Sequence, residues 1–319
     1  MAGRPGKKFP GASPGEENFL RFTAPAVPVF FGGAMLTCGV DIGGSKISFG
    51  MVEDGAILRK SAIPNRFFGD PDAMVGAIAR GIHALCGGEP LQSIGAGSPG
   101  WVIDGLVLDA VNLGIARYPL QDKLKSALGI PVYVENDARC ALVAELSGGA
   151  LRDCVNGALV TFGTGVGGGL VIGKKLYKGS FGYAGEIGHM ALESRGECPC
   201  GKRGCYELTG AVPSLLRLSG ELGLPARDAR EVFEAALSGD ARAKEALEAY
   251  LPLAARGVTE LAMLLDLDTI CIGGGISARH DLFVRPLEKL VYPWNPRCRI
   301  VPADLGNDAG IIGAARLPA

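Results

Sequence analysis

A chain of 319 residues, 48% hydrophobic and 20% charged, is long enough for one large or two medium globular domains with a sizeable core. Its net charge of −1, with no basic stripe, speaks against a partner recognised through a phosphate backbone, and no apolar run is long enough to span a bilayer. Nine irregularly spaced cysteines do not make a secreted disulfide framework, so a cytoplasmic protein is expected.

The first 34 residues are rich in Gly and Pro and show no helical period. They are read as disordered or as a non-native extension, with Met35 opening the first convincing strand. "MLTCGVDIGGSKISFGMVEDGAILRKSAIP" then reads as strand, Gly turn, strand, Asp-Gly turn, strand, with Asp54-Gly55 as a hairpin signal. "PDAMVGAIARGIHALCGG" has apolar residues at helical spacing and stops at a Gly pair. A short strand ending in a Pro-Gly turn, "LQSIGAGSPG", a helix "QDKLKSALG", a strand "IPVYVEND" and a helix "ARCALVAELSGG" follow.

"GALVTFGTGVGGGLVIGKKLYKGS" repeats the opening: strand, Gly turn, strand, turn, strand. Helices come next, the longest being "ARAKEALEAYLPLAARGVTELAMLLD", which Pro252 is expected to kink or divide. The strand "DTICIGGGIS", a helix, the strand "RCRIVPADL" and a last helix end the chain. A strand-rich unit passing into strand and helix thus occurs twice. The fold class is α/β, with two related lobes at 35–148 and 149–319, a cleft between them, and a last helix free to return to the first lobe.

Both lobes open on a Gly turn between strands, "DIGGSK" and "GTGVGGG". Two such turns facing one cleft would offer backbone N–H groups to phosphates from two sides. Neither has Walker A spacing, and neither leads into a helix as a dinucleotide fingerprint does. "IGGGIS" is a third Gly cluster, against which a nucleoside would lie. At the end of "VEND", Asp137 has two readings of equal weight: a helix N-cap, or a general base facing the cleft. Asn136 beside it is placed to hold a hydroxyl.

"EIGHMALESRGECPCGKRGCYE" brings together His189, Cys198, Cys200 and Cys205. Cys-x-Cys with a third Cys five residues on wraps a tetrahedral ion, and His189 completes four ligands. Four protein ligands leave no open position, so the expected ion is a structural Zn2+. It would pin Glu186 and Glu207 in one geometry, which suits a ligand with many hydroxyls.

These motifs ("DIGGSK", "ENDA", "GTGVGGG", "GEIGH" and "CPCGKRGC") resemble those of the ROK family (repressor, open reading frame, kinase) of sugar kinases and sugar-responsive repressors. The resemblance covers nearly all of the chain from Met35 onward. It implies the actin/hexokinase-like (ribonuclease H-like) two-lobe fold with duplicated βββαβα units. It also implies ATP and Mg2+ as cosubstrates, a hexose or N-acetylhexosamine phosphorylated at its 6-hydroxyl, and a homodimer. Asp137 would be the catalytic base, with sugar contacts from Asn112, Asn136, Glu186, His189 and Glu207. Asp41, Gly43, Gly44, Ser45 and Lys46, with Gly163, Thr164 and Gly165, would meet the phosphates. Gly273, Gly274 and Gly275 would meet the adenosine.

Glucose is the first acceptor to expect, then N-acetylglucosamine or N-acetylmannosamine. After "VNLG", where glucokinase-like members usually carry an aromatic residue, this chain reads "IARYPL". A sugar-responsive repressor is disfavoured, because nothing ahead of "DIGG" reads as a helix pair. A catalytically dead sugar-binding protein is disfavoured by Asp137 and both Gly turns.

Overall fold

A computed structural model describes residues 36–193 and 196–317. The expectation for residues 1–34 lies outside that range. In chain order the elements begin with β1 (Thr37–Ile42), β2 (Lys46–Glu53), β3 (Ala56–Pro64), α1 (Pro71–Cys86) and β4 (Ser93–Ser98). Then come β5 (Trp101–Ile103), β6 (Leu106–Ala110), β7 (Ile115–Tyr118), α2 (Leu120–Leu128), β8 (Val132–Asn136) and α3 (Asp137–Gly148). The second half holds β9 (Gly157–Phe162), β10 (Val166–Ile172), β11 (Lys175–Tyr177), α4 (Glu207–Gly210), α5 (Val212–Glu221), α6 (Ala229–Leu237) and α7 (Ala241–Leu264). It closes with β12 (Thr269–Gly273), α8 (Val284–Val291), β13 (Arg299–Pro302) and α9 (Ala309–Ala315).

The duplication expected from the sequence is present strand for strand. One sheet runs β3-β2-β1-β4-β8 and the other β11-β10-β9-β12-β13. In each, the first three strands pair antiparallel and the next two join parallel. The two large cores follow the halves: one gathers Val40, Phe49, Met74 and Ile94, the other Phe162, Tyr206, Tyr250 and Phe283. The architecture is the two-lobe actin/hexokinase-like fold.

Two features depart from the sequence reading. The stretch after β4 forms a separate three-stranded sheet, β5-β6-β7, turned at Asp104-Gly105 with φ of 49° and 78°. This is the same Asp-Gly hairpin chemistry as at Asp54-Gly55. Pro252 neither divides α7 nor ends it. It sits on the exposed face, while Leu247, Tyr250, Ala254 and Val258 bury the opposite face on both sides of it. Water can serve the carbonyl that proline leaves without a donor, and packing of the apolar face holds the helix through.

Helix α9 returns to the first sheet. A Cβ on Gly39 would stand 1.9 Å from the Ile311 carbonyl oxygen, and one on Gly95 1.6 Å from that of Ala314. The helix backbone therefore lies directly on β1 and β4, at a distance only glycine allows. Ile311 and Ala315 bury with Val52, and Ile312 with Ala144 of α3. Helix α3 also packs on β9 and β10, so α3 and α9 together form the joint between the halves.

Candidate active site

A cavity of about 600 Å³ opens between the halves, reached by Asp137, Glu186, His189, Glu207 and the Gly163–Gly165 turn. Its floor is the start of α3. Asn136, at φ −63° and ψ 143°, is the helix N-cap: its side-chain oxygen accepts from the Arg139 amide at 3.1 Å. The N-cap reading of Asp137 is thereby corrected by one residue. Asp137 occupies the first helical position, its Oδ1 accepting from the Ala138 amide at 2.8 Å. Burial, with Asp41 and Glu186 adding like charge, pushes its carboxyl up to about 7. An ordinary aspartate titrates far lower, so this group holds and releases a proton near neutrality. Asn136 Nδ2 donates to the Gly100 carbonyl at 3.0 Å, so both ends of that side chain already serve the backbone.

The second half supplies the facing wall. The turn between β9 and β10 is closed by the Gly163 amide donating to the Gly165 carbonyl at 2.9 Å. Glu207, at the start of α4, accepts the Val166 amide on Oε2 at 2.9 Å. A Cβ on Gly165 would stand 2.3 Å from that oxygen, so a side chain there would break the link between the Gly turn and α4. Glu186 precedes a 3-10 turn, Ile187–His189. Its carboxyl is raised by burial, against which Arg139 and His189 act. Trp101 of β5 stands edge-on to His189, ring centroids 6.4 Å apart, and to Tyr183 at 5.4 Å.

Behind this wall lie His189, Cys198, Cys200 and Cys205, with one donor atom from each, all within 4.8 Å of one another. His189 Nδ1 is 3.8 Å from Cys198 Sγ, and Cys200 Sγ is 3.6 Å from Cys205 Sγ. An ion held by metal–sulfur bonds of about 2.3 Å in a tetrahedron sets its sulfurs about 3.8 Å apart. The four donors fit such an ion. With Nδ1 turned to the sulfurs, Nε2 of His189 remains for the cavity. The loop is fixed by the backbone too: the Cys198 amide donates to Lys202 O at 2.8 Å and the Tyr206 amide to Met190 O at 2.8 Å.

Of the other residues singled out in the sequence, Asp41, Asn112, Thr164 and Gly274 line the cavity. Asp41, at the end of β1, is raised by burial and drawn back by Lys46 and Lys60. Gly43, Gly44, Ser45, Lys46, Gly273 and Gly275 do not line it. The turn at Gly43–Lys46 is held by the Gly43 amide on Lys46 O and by Asn65, whose side chain donates to Gly43 O at 2.7 Å. Three residues escaped the sequence reading. Trp101 followed a Pro-Gly turn read as the end of the matter. Asn307 lines the cavity ahead of α9. Arg139 is 1% exposed, and its one signal is a lone charge in the apolar run "ARCALVA".

Comparison with known proteins identifies the family. The ROK family model matches residues 37–319. A glucokinase of Streptomyces coelicolor is 35% identical over 309 residues, covering 88% of this chain and 97% of the relative. An N-acetylmannosamine kinase of Escherichia coli O6:H1 is 31% identical over 287 residues, covering 88% and 97%. The crystal structure of a ROK family glucokinase from Streptomyces griseus in complex with glucose and AMPPNP superposes with a TM-score of 0.79, at 33% identity, covering 88% of this chain and 98% of that one. With its two matched lobes and the acidic cleft between them, the chain belongs to the ROK family and is an ATP-dependent sugar kinase.

Proposed function

We propose that the protein transfers the γ-phosphate of ATP to the 6-hydroxyl of a hexose, with glucose as the acceptor and Asp137 as the general base. The observation that carries this reading is the Asp137 carboxyl, raised to about 7 on the cavity floor, opposite Glu186, His189, Glu207 and the Gly163–Gly165 turn. Phosphoryl transfer has a loose transition state, so the protein mainly positions the partners and neutralises charge. Glu186, Glu207 through Oε1, and His189 through Nε2 accept from or donate to the sugar hydroxyls. Asn112 joins them from the rim. The attacking hydroxyl gives its proton to Asp137 late, as the new bond to phosphorus forms.

The Gly163–Gly165 turn and the Asp41 end of β1 approach the phosphates, and Gly274 the adenosine. Asp41 would hold Mg2+, a hard cation that takes carboxylate oxygen and offsets phosphate charge. Zn2+ in the His189, Cys198, Cys200 and Cys205 site is structural: it holds Glu186 and Glu207 in register. We assign the protein to the cytoplasm on its cysteine usage and as a homodimer on its family resemblance; no helix among the described residues is long and apolar enough to cross a membrane.

The second reading is phosphorylation of an N-acetylhexosamine, favoured by the N-acetylmannosamine kinase relatives at 31% identity. A panel of hexoses and N-acetylhexosamines, each assayed by coupled ADP release, separates the two. Glucose is expected to give the highest kcat/KM. A higher value for N-acetylmannosamine or N-acetylglucosamine would replace the first reading with the second.

A further inference from the structure

Four charged side chains alternate in sign across the joint between the halves. Lys178 Nζ lies 2.5 Å from Glu135 Oε2, Glu135 Oε1 lies 3.2 Å from Arg139 Nη1, and Arg139 Nη2 lies 3.9 Å from Glu186 Oε1. Arg139 is 1% exposed and Glu135 3%. Arg139 Nη2 also donates to the carbonyls of Gly182 at 2.6 Å and Ala184 at 2.9 Å. One side chain of α3, two residues beyond Asp137, thus holds the stretch of chain that leads into Glu186.

Stability is a poor explanation for this arrangement. A buried ion pair is often no better than apolar packing of the same volume, because both charges must leave water. What the guanidinium supplies is a rigid planar fork with fixed donor directions. Two of those directions end on the carbonyls of Gly182 and Ala184. At 3.9 Å, Glu186 receives charge from Nη2 and no hydrogen bond. Beyond the Trp101 indole, its oxygens keep lone pairs for another donor.

We propose that Arg139 is a positioning residue of the acceptor site. It ties the segment carrying Glu186 to the helix carrying Asp137, so that the group that binds the sugar and the group that takes its proton keep one geometry. This rests on the reading of Glu186 as a sugar contact. The selectivity of the effect follows from the placement: the carbonyls Arg139 holds belong to the segment that leads into Glu186, and none belongs to the Gly163–Gly165 turn or to Gly274.

The test is steady-state kinetics on the full chain with glucose and ATP, zinc content being measured on every variant. Arg139→Met is expected to raise the glucose KM by about 10- to 100-fold, the scale set by a small misplacement of a substrate-orienting group. The ATP KM and the zinc content should stay within about twofold of the parent on that same positioning argument. Arg139→Lys, which keeps the charge, should recover part of the glucose KM. The double variant Glu135→Gln/Arg139→Met also removes the buried Glu135 carboxylate, which the single variant leaves with Lys178 alone; if Arg139→Met does not fold, the double variant replaces it and should show the same raised glucose KM.

An equal rise in both KM values, a fall in kcat alone, or a lysine variant no better than methionine would overturn the proposal. Glu186→Gln separates the two layers of the argument. If it leaves the glucose KM unchanged, the sugar-contact reading of Glu186 fails. If it raises the glucose KM and the Arg139 variants do not, only the positioning role fails.

Discussion

Asn136 caps α3 through the Arg139 amide at 3.1 Å, while Asp137, one residue on, accepts the Ala138 amide at 2.8 Å and has its carboxyl in the cavity. Structural and chemical duties at this corner are thereby split between neighbours. Asp137→Ala is expected to lower kcat by about 10²–10⁴, the usual scale for a general base, with the melting temperature little changed. Asn136→Ala should instead cost about 1 kcal/mol of stability, the usual loss at an N-cap. Measuring kcat and thermal unfolding on both variants checks the division. An Asp137→Ala protein of full activity would remove it as the base.

The raised carboxyl sets a pH window. Only ionised Asp137 can accept the hydroxyl proton, so kcat/KM for the acceptor should fall as pH drops below about 7. The stability sign is opposite. Because the folded pKa stands above the unfolded value, the folded state holds the proton more tightly, and this favourable contribution is lost as pH rises through about 7. Asp137→Asn should therefore raise the melting temperature more at pH 8 than at pH 5. An equal shift at both pH values would contradict the burial argument.

Removal of the metal should act locally. Cys200→Ser is expected to lose zinc and acceptor affinity together, since the loop between Glu186 and Glu207 loses its fourth point of attachment. The loop gives the second core Ile187 and Tyr206, but most of both large cores comes from outside it, so cooperative unfolding should persist. Elemental analysis of protein purified without chelator is the direct check; protein free of zinc yet fully active would refute the site.

The chain has two tryptophans, and only Trp101 lines the cavity; Trp294 is 63% exposed. Sugar added without nucleotide should change the intrinsic fluorescence. Trp294→Phe should keep that change, and Trp101→Phe should abolish it. The opposite pattern would place the sugar away from β5.

The sequence made the β1–β3 and β9–β11 units readable because their turns need Gly or Asp-Gly and their strands are apolar. The cluster of His189, Cys198, Cys200 and Cys205 was readable because the spacing of such cysteines follows coordination geometry. The cap at α3 was misread by one residue: Asn and Asp are near-equal caps, and only backbone angles choose between them. Arg139 was hidden for a different reason. Apart from Glu135, its partners, at 182, 184 and 186, are far along the chain, and a lone charge in a helix usually faces solvent. Pro252 was overestimated because local propensity yields to the packing of a buried face.

The seat of α9 on Gly39 and Gly95 has a consequence for biosynthesis. The surface of β1 and β4 that this helix covers is made on the ribosome long before residues 309–315. The sheet can pair its strands early, but its apolar back at Val52 stays uncovered until residues 309–315 are made. Domain-by-domain folding during translation is therefore closed to the first half. Contacts between such distant segments also slow folding once the whole chain is free. A nascent chain stalled before Gly310 should offer chaperones an open sheet face, whereas the second half, with its core built from its own residues, should already be closed.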